Sequence, residues 1–185
     1  MNKEEIKQTI IEQLKYIGED PSREGLKETP ARIIRSWDEI FRGYRQDPKK
    51  LLTTFTETAG YDQMIICKNI EIYSVCEHHM LPFFGKAHVA YIPKERVIGI
   101  SKLARLVDIY ACRLQIQERI GEQVTQTLME ILHPQGAACI IEAKHLCMRM
   151  RGIYKQESIM ITSSLKGSFK ENFKAREELM QLIKE

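Results

Sequence analysis

Apolar residues in the first third of the chain recur at the three-to-four-residue spacing of amphipathic helices. In the first such stretch they share one face of residues 6–17, and Gly18 follows where a helix is expected to stop. In the second stretch, Thr29 and Pro30 supply a capping residue and a proline at the first helical position. The pattern therefore predicts two helices, which we expect to form an N-terminal helical arm over residues 1–60.

From about residue 64 the pattern changes to alternation rich in β-branched and aromatic residues, which is typical of strands. The predicted strands cover residues 64–75, 85–93, 136–144 and 157–163. The predicted helices cover residues 101–110, 116–132 and 170–184. This order predicts an α+β body over residues 61–185, with an antiparallel strand-strand-helix-helix-strand-strand sheet and its helices on one face. We expect arm and body to form one structural domain, with the free sheet edges covered by other subunits.

Length, composition and charge narrow the class of protein. A chain of 185 residues with 43% hydrophobic and 29% charged residues is typical of one globular domain. A net charge of +3, without blocks of like charge, argues against a nucleic-acid partner. No apolar run approaches the roughly 20 residues that span a bilayer, and the N-terminus does not resemble a signal peptide. We therefore expect a cytoplasmic protein with no membrane partner.

Two of the five cysteines stand beside histidines and are the candidate metal ligands. Cys76 and His79 are three residues apart, so they can converge on one cation across a tight turn. His145 and Cys147 are two residues apart, so in a strand they share one face, and Arg151 follows on the same side. The other cysteines, at positions 67, 112 and 139, we interpret as packing residues.

Two thiolates and one imidazole form a donor set that suits zinc. Three protein ligands leave a fourth position for water, which is typical of a catalytic site. Two alternatives stay open from spacing alone. Buried cysteines often serve only as packing, and a fourth ligand from His78 or His145 would indicate a structural centre.

The sequence Cys76-Glu77-His78-His79 and four other blocks resemble the GTP cyclohydrolase I family. The five blocks lie at residues 23–32, 76–86, 98–105, 115–119 and 145–152. They occur in the family order and span nearly the whole chain. One departure is Met160, where many relatives carry threonine.

The resemblance implies the tunnelling fold, in which the sheets of several subunits join into a barrel. It also implies a toroidal homodecamer with active sites at subunit interfaces. The implied activity is zinc-dependent hydrolysis of GTP at C8, followed by rearrangement to 7,8-dihydroneopterin triphosphate plus formate. This reaction is the first step of tetrahydrofolate and pterin biosynthesis.

The resemblance also assigns roles to individual residues. The implied zinc ligands are Cys76, His79 and Cys147. The implied catalytic residues are His78, His145 and Ser101. The implied substrate-binding residues are Glu118, Gln117, Lys102, Arg105, Arg151 and Arg32.

These roles agree with general chemistry. Histidines suit proton transfer near neutral pH, although either one could instead only orient a metal ligand. The Glu118 carboxylate matches the N1–H and 2-amino donors of guanine, with Gln117 beside it. Ser101 and Lys102 lie at a predicted helix start, which favours an anion, and arginine forks suit phosphate oxygens. For Arg32, a surface charge on an amphipathic helix is an equally good interpretation.

Two other functions compete with this interpretation. The first is a nitrile-reducing enzyme of the queuosine pathway on the same fold, with a cysteine nucleophile and NADPH. The apparent zinc triad argues against it. The second is a structural zinc or nucleotide-binding module without turnover. The chain has no Gly-x-x-x-x-Gly-Lys-Ser/Thr loop, so it contains no P-loop nucleotide site.

Overall fold

The computed structural model describes residues 1–56 and 60–184 and forms two compact units, Met1–Arg42 and Gly43–Glu185. The first unit contains helices α1 (Lys3–Tyr16) and α2 (Thr29–Ile40), which confirms both predicted N-terminal helices. The division of the chain at residue 60 stays a prediction. None of the helices in the described ranges is long and apolar enough to span a bilayer.

The second unit is a five-stranded mixed sheet with helices and a separate two-stranded sheet. Its elements in chain order are α3 (Pro48–Leu51), β1 (Thr54–Thr56), β2 (Ile65–Cys76), β3 (Pro82–Ile92), β4 (Arg96–Ile98), α4 (Ile100–Ala111), β5 (Leu114–Gln115), α5 (Gln117–Leu132), β6 (Gly136–His145), α6 (Leu146–Arg149), β7 (Met160–Gly167), α7 (Ser168–Glu171) and α8 (Phe173–Lys184). The large sheet has the strand order β5-β2-β3-β6-β7, and β1 pairs with β4. The α+β class and the predicted order of the main strands and helices are confirmed.

The prediction of a purely antiparallel four-stranded sheet is wrong in one respect. Four strands pair antiparallel as expected, but the short β5 adds a fifth strand that runs parallel to the end of β2. This pairing places Gln115 beside Cys76. Two residues are too few to produce a visible alternation, so the sequence pattern could not indicate β5.

Helices cover both faces of the large sheet. Alternate side chains of β6 point to opposite faces, so Cys139 and Ile141 pack in the core with α4 and α5. Ala138 and Ile140 pack on the other face against Leu179 of α8. The prediction of helices on one face therefore holds for α4 and α5 but is wrong for α8. Because α8 covers only one end of its face, Tyr73 at the other end is 69% exposed.

Gly85 on β3 occupies a position with no space for a side chain. It pairs with Ala143 of β6, and a Cβ atom on residue 85 would lie 1.9 Å from the Glu142 carbonyl oxygen. Neither backbone can move without disturbing the ladder. We expect Gly85→Ala to lower the free energy of unfolding by about 3 kcal/mol, as overpacking does. Thermal unfolding followed by circular dichroism measures this change.

Gly121→Ala is the matched control because residue 121 is a buried glycine that, like Gly85, has no positive φ. A Cβ atom there meets its nearest neighbours, Ser164 Cβ and the Cys139 carbonyl oxygen, at 3.5 and 3.7 Å, which are ordinary contact distances. Alanine is also the better helix former, so this variant should be as stable as the original protein or more so. Equal melting temperatures for the two variants would contradict the proposed clash at residue 85.

Candidate metal centre

Cys76 and His79 converge through a tight turn between β2 and β3. Cys76 is buried at the end of β2, and its backbone N–H donates to the Leu81 carbonyl at 2.9 Å. The Met80 N–H donates to the Cys76 carbonyl at 2.8 Å, and Met80 adopts a positive φ of 52°. This backbone geometry closes the turn and returns the exposed His79 side chain toward Cys76.

Cys147 reaches the same place by a route that differs from the predicted one. Strand β6 ends at His145, and residues Leu146–Arg149 form the helical turn α6. The prediction that His145, Cys147 and Arg151 share one face of a continuing strand is therefore wrong. Even so, Arg151 lies close enough to influence the Cys147 thiol electrostatically.

The three predicted ligands meet at one point. The Cys76 and Cys147 Sγ atoms and a ring nitrogen of His79 all lie within 4.8 Å of one another. Ligands of a tetrahedral zinc ion, at its usual bond lengths of about 2.0–2.3 Å, lie roughly 3.3–3.8 Å apart. The donor set and its spacing therefore fit one small ion of zinc type after minor side-chain adjustment. No fourth Cys, His, Asp or Glu joins this group within residues 1–56 and 60–184.

The Cys147 thiol is protonated in the metal-free protein at neutral pH. Burial raises its pKa, and the neighbouring Cys76 thiol raises it further, while the Arg151 guanidinium opposes both effects. A metal ion binds the thiolate, so metal binding must release this proton. Metal affinity should therefore increase as the pH rises from neutral toward the pKa of the Cys147 thiol.

His78 lies on the exposed side of the centre. Its Nδ1 atom is 3.9 Å from the Cys76 Sγ atom, and its Nε2 atom is 3.9 Å from Oε1 of Glu77. The side chain is solvent-accessible and is next to a metal ligand in sequence. It is therefore accessible to both water and a molecule bound at the centre.

His145 is held on the other side of the centre by two contacts. Its ring stacks on Phe83, with centroids 4.5 Å apart and an interplanar angle of 5°. Its Nε2 atom lies 2.9 Å from Oε1 of Gln117. Burial lowers the pKa of His145, while the Glu118 carboxylate opposes that effect. The imidazole is thus mainly neutral at pH 7, and it lines a cavity of about 300 Å³.

Gln117 fixes the tautomer of His145. Its Nε2 atom donates to the Ile141 and Met160 carbonyls at 2.9 and 3.1 Å, so its Oε1 atom must be the acceptor from His145. His145 then carries its proton on Nε2, which leaves Nδ1 free to accept one. The contact with Met160 uses a backbone carbonyl, so it does not depend on the unusual side chain at that position.

The other predicted substrate residues occupy separate parts of the chain. Glu118 is exposed in the first turn of α5 and lines a cavity of about 480 Å³. Ser101, Lys102 and Arg105 follow Gly99 in the first turns of α4. Arg32 lies exposed on α2 in the first unit. Their roles, and the predicted contact of Gln117 with substrate, stay predictions.

Two contacts beside the candidate metal centre could not be predicted from the sequence pattern. The stacking of Phe83 on His145 depends on the β3–β6 register, in which these residues are direct partners. The second contact joins Glu77 to Arg119, 42 residues further along the chain. This ion pair holds the pKa of the Glu77 carboxyl below its usual range. Neither pairing could be predicted without the sheet topology.

The fold and the candidate metal centre together define a class of protein. It is an α+β protein with a candidate Cys₂His metal centre of three ligands, the ligand number typical of catalytic rather than structural zinc sites. Sequence similarity then identifies the family within this class. The sequence profile of the GTP cyclohydrolase I family matches residues 6–184, and the chain belongs to that family.

Similar proteins cover nearly the whole chain. GTP cyclohydrolase 1 of Wolinella succinogenes is 52% identical over 179 residues, which is 97% of this chain and 96% of that protein. GTP cyclohydrolase 1 of Helicobacter pylori strain G27 is 52% identical over 168 residues, covering 91% of this chain and 93% of that protein. A solved structure, described as archaeosine synthase QueF-Like in the apo form, aligns with a TM-score of 0.46 at 17% identity. That alignment covers 56% of this chain and 93% of that one.

Proposed function

We propose that this protein acts as a GTP cyclohydrolase I. It hydrolyses GTP at C8 and rearranges the product to 7,8-dihydroneopterin triphosphate, with release of formate. The convergence of Cys76, His79 and Cys147, with two histidines beside them, is the observation that supports this function most strongly. Full-length identity of about half to proteins named GTP cyclohydrolase 1 supports the same conclusion.

We propose that Cys76, His79 and Cys147 hold a Zn²⁺ ion. Two thiolates and an imidazole form a donor set that selects zinc over hard cations such as Mg²⁺. When bound in such a site, zinc lowers the pKa of a coordinated water to about 7 and so supplies a nucleophile at neutral pH. The protein residues around it must then bind the purine and move protons.

His78 and His145 are the proposed proton carriers. A first water adds to C8 and opens one C8–N bond, and a second water breaks the other C8–N bond and releases C8 as formate. Each departing nitrogen gains a proton, and closure of the pterin ring returns one water. The neutral His145 ring can accept a proton on Nδ1, because Gln117 holds its protonated Nε2 atom. The exposed His78 ring can return a proton taken up from solvent. We include Ser101 among the catalytic residues on the family pattern, near the ribose that must rearrange.

GTP binding requires a carboxylate for guanine and several cations for the triphosphate. Glu118 is exposed and lines a cavity, so its oxygens are free for N1–H and the 2-amino group, and Gln117 is adjacent. Lys102 and Arg105 form no salt bridge within the described ranges, so their charges are available for phosphates. Arg151 near the metal and Arg32 on α2 complete the proposed set.

We propose that the sheet is of the tunnelling type and that subunits assemble into a homodecamer. The edge strand β7 carries Ile161, which is 66% exposed, and Tyr73 is exposed on the uncovered end of the sheet face. An edge strand with exposed apolar side chains is typical of a surface that pairs with another chain. Active sites at the subunit interfaces would combine residues of neighbouring copies.

Formate release from GTP by the purified protein tests the proposed function. Formate and a fluorescent pterin should appear in the zinc-replete sample and disappear after treatment with a zinc chelator. Re-addition of zinc should restore both products. If the replete protein releases no formate, the proposed function is wrong and the nucleotide-binding alternative becomes the leading one.

A further inference from the structure

A bidentate ion pair connects the metal-binding turn to the start of α5. Glu77 lies between the ligand Cys76 and the histidine His78. Its two carboxylate oxygens accept from Nη1 and Nη2 of Arg119 at 2.5 and 3.1 Å. Paired fork contacts of this kind constrain direction as well as distance.

A second contact joins the same two segments through the backbone. The Glu77 N–H donates to the Gln115 carbonyl at 3.0 Å, next to the parallel pairing of Cys76 with Gln115. These contacts and the hairpin to β3 hold the backbone of the turn. The ion pair with Arg119 adds a side-chain contact between the turn and the first turn of α5.

This contact matters because Glu118 and Arg119 are neighbours in the first turn of α5. Consecutive residues on a helix point in directions about 100° apart. While Arg119 reaches toward Glu77, the Glu118 side chain must point elsewhere and stays free for a ligand.

The ion pair is poorly placed to stabilise the fold as a whole. The side chains of Glu77 and Arg119 are 31% and 42% exposed, and an exposed pair of this kind contributes little to stability. Its two ends nevertheless stand beside a metal ligand and beside the residue assigned to guanine. Position, rather than strength, distinguishes this pair from the other ion pairs of α5.

We propose that Glu77 and Arg119 are positioning residues that set the metal-binding turn against the guanine-binding start of α5. The pair fixes the separation between the atoms that recognise the purine and the atoms that hold the metal. This proposal rests on the proposed function, because it assigns Glu118 to guanine and the Cys76 turn to zinc.

Four variants and one control test the pair: Glu77→Gln, Arg119→Ala, Arg119→Lys, the double variant Glu77→Gln/Arg119→Ala, and Glu130→Gln. Glu130 is the matched control because it pairs with Lys49 at 3.2 Å from the last turns of the same helix. We expect kcat for GTP to fall about 10- to 100-fold in Glu77→Gln and Arg119→Ala, the usual effect of losing a group that supports a metal ligand. KM and the melting temperature should change little.

Two further results are specific to a positioning role. Arg119→Lys should recover part of kcat, because lysine restores one charged contact but not the fork. The double variant should be no slower than the slower single variant, because both changes remove the same contact. Effects that multiply in the double variant, or an equal loss in Glu130→Gln, would overturn the proposal.

Zinc release to an excess of chelator provides a readout that does not depend on turnover. We expect release to be about tenfold faster in Glu77→Gln and Arg119→Ala than in the original protein, and unchanged in Glu130→Gln. If the original protein releases no formate, the proposed function fails while this comparison still tests the pair. Equal release rates in all proteins would contradict the positioning role even if GTP turnover is confirmed.

Discussion

Cys147→Ala should lose both its bound zinc and its formate release while keeping the fold of the protein. Cys147 belongs to the one group of three potential metal ligands, among the described residues, whose ligand atoms all lie within 4.8 Å of one another. Loss of a direct ligand should exceed the roughly 100-fold upper effect of losing a supporting residue. The side chain is half-buried in the four-residue helix α6 and packs at the edge of the main core, and its change to alanine removes one atom only, so the fold should persist. Elemental analysis, kcat and thermal unfolding measure the three quantities.

Cys67→Ala is the matched control for this experiment. Cys67 is a half-buried cysteine on β2, and burial raises its pKa, as expected of a thiol that serves packing. This variant should keep its zinc and its activity. Collapse of the fold in Cys147→Ala alone would instead indicate a structural centre, and full activity in that variant would remove Cys147 from the ligand set.

The convergence of the three candidate metal ligands could be predicted from sequence because two of them share a short turn. Cys76 and His79 are three residues apart, and this separation alone restricts where their side chains can meet. The prediction that Cys147 lies close to Cys76 and His79 was correct, but the structural reason given for it was wrong. The strand stops at His145, and a helical turn, rather than strand alternation, brings the thiol to the centre.

The contacts that support the centre could not be predicted in the same way. Phe83 meets His145, and Gln117 meets Ile141 and Met160, only because β3, β6 and β7 have a particular register. Hydrophobic alternation indicates which side chains share a face, but it does not fix the register between strands. The sequence pattern therefore identified most of the main elements and the candidate metal ligands, whereas the orientation of the side chains around them required the three-dimensional structure.

Glu118→Ala should lower kcat/KM for GTP by on the order of a thousandfold. The proposed contact joins a carboxylate to two donors of guanine, and each hydrogen bond to a charged group contributes about 1.5–3 kcal/mol. The exposed Glu118 side chain forms no hydrogen bond or ion pair among residues 1–56 and 60–184, so its removal should leave stability unchanged. Initial rates of formate release over a range of GTP concentrations give the comparison.

Inosine triphosphate, used as an alternative substrate, distinguishes a loss of guanine recognition by Glu118 from a general loss of activity. Its base keeps N1–H but lacks the 2-amino group, so the original protein should prefer GTP by about 10- to 150-fold, the equivalent of one charged hydrogen bond. In Glu118→Ala the two nucleotides should react at similar rates, because the group that distinguishes them is gone. Glu130→Ala, on the last turns of the same helix, should retain the original preference. A Glu118→Ala variant that still prefers GTP by the original ratio would show that another residue reads the 2-amino group.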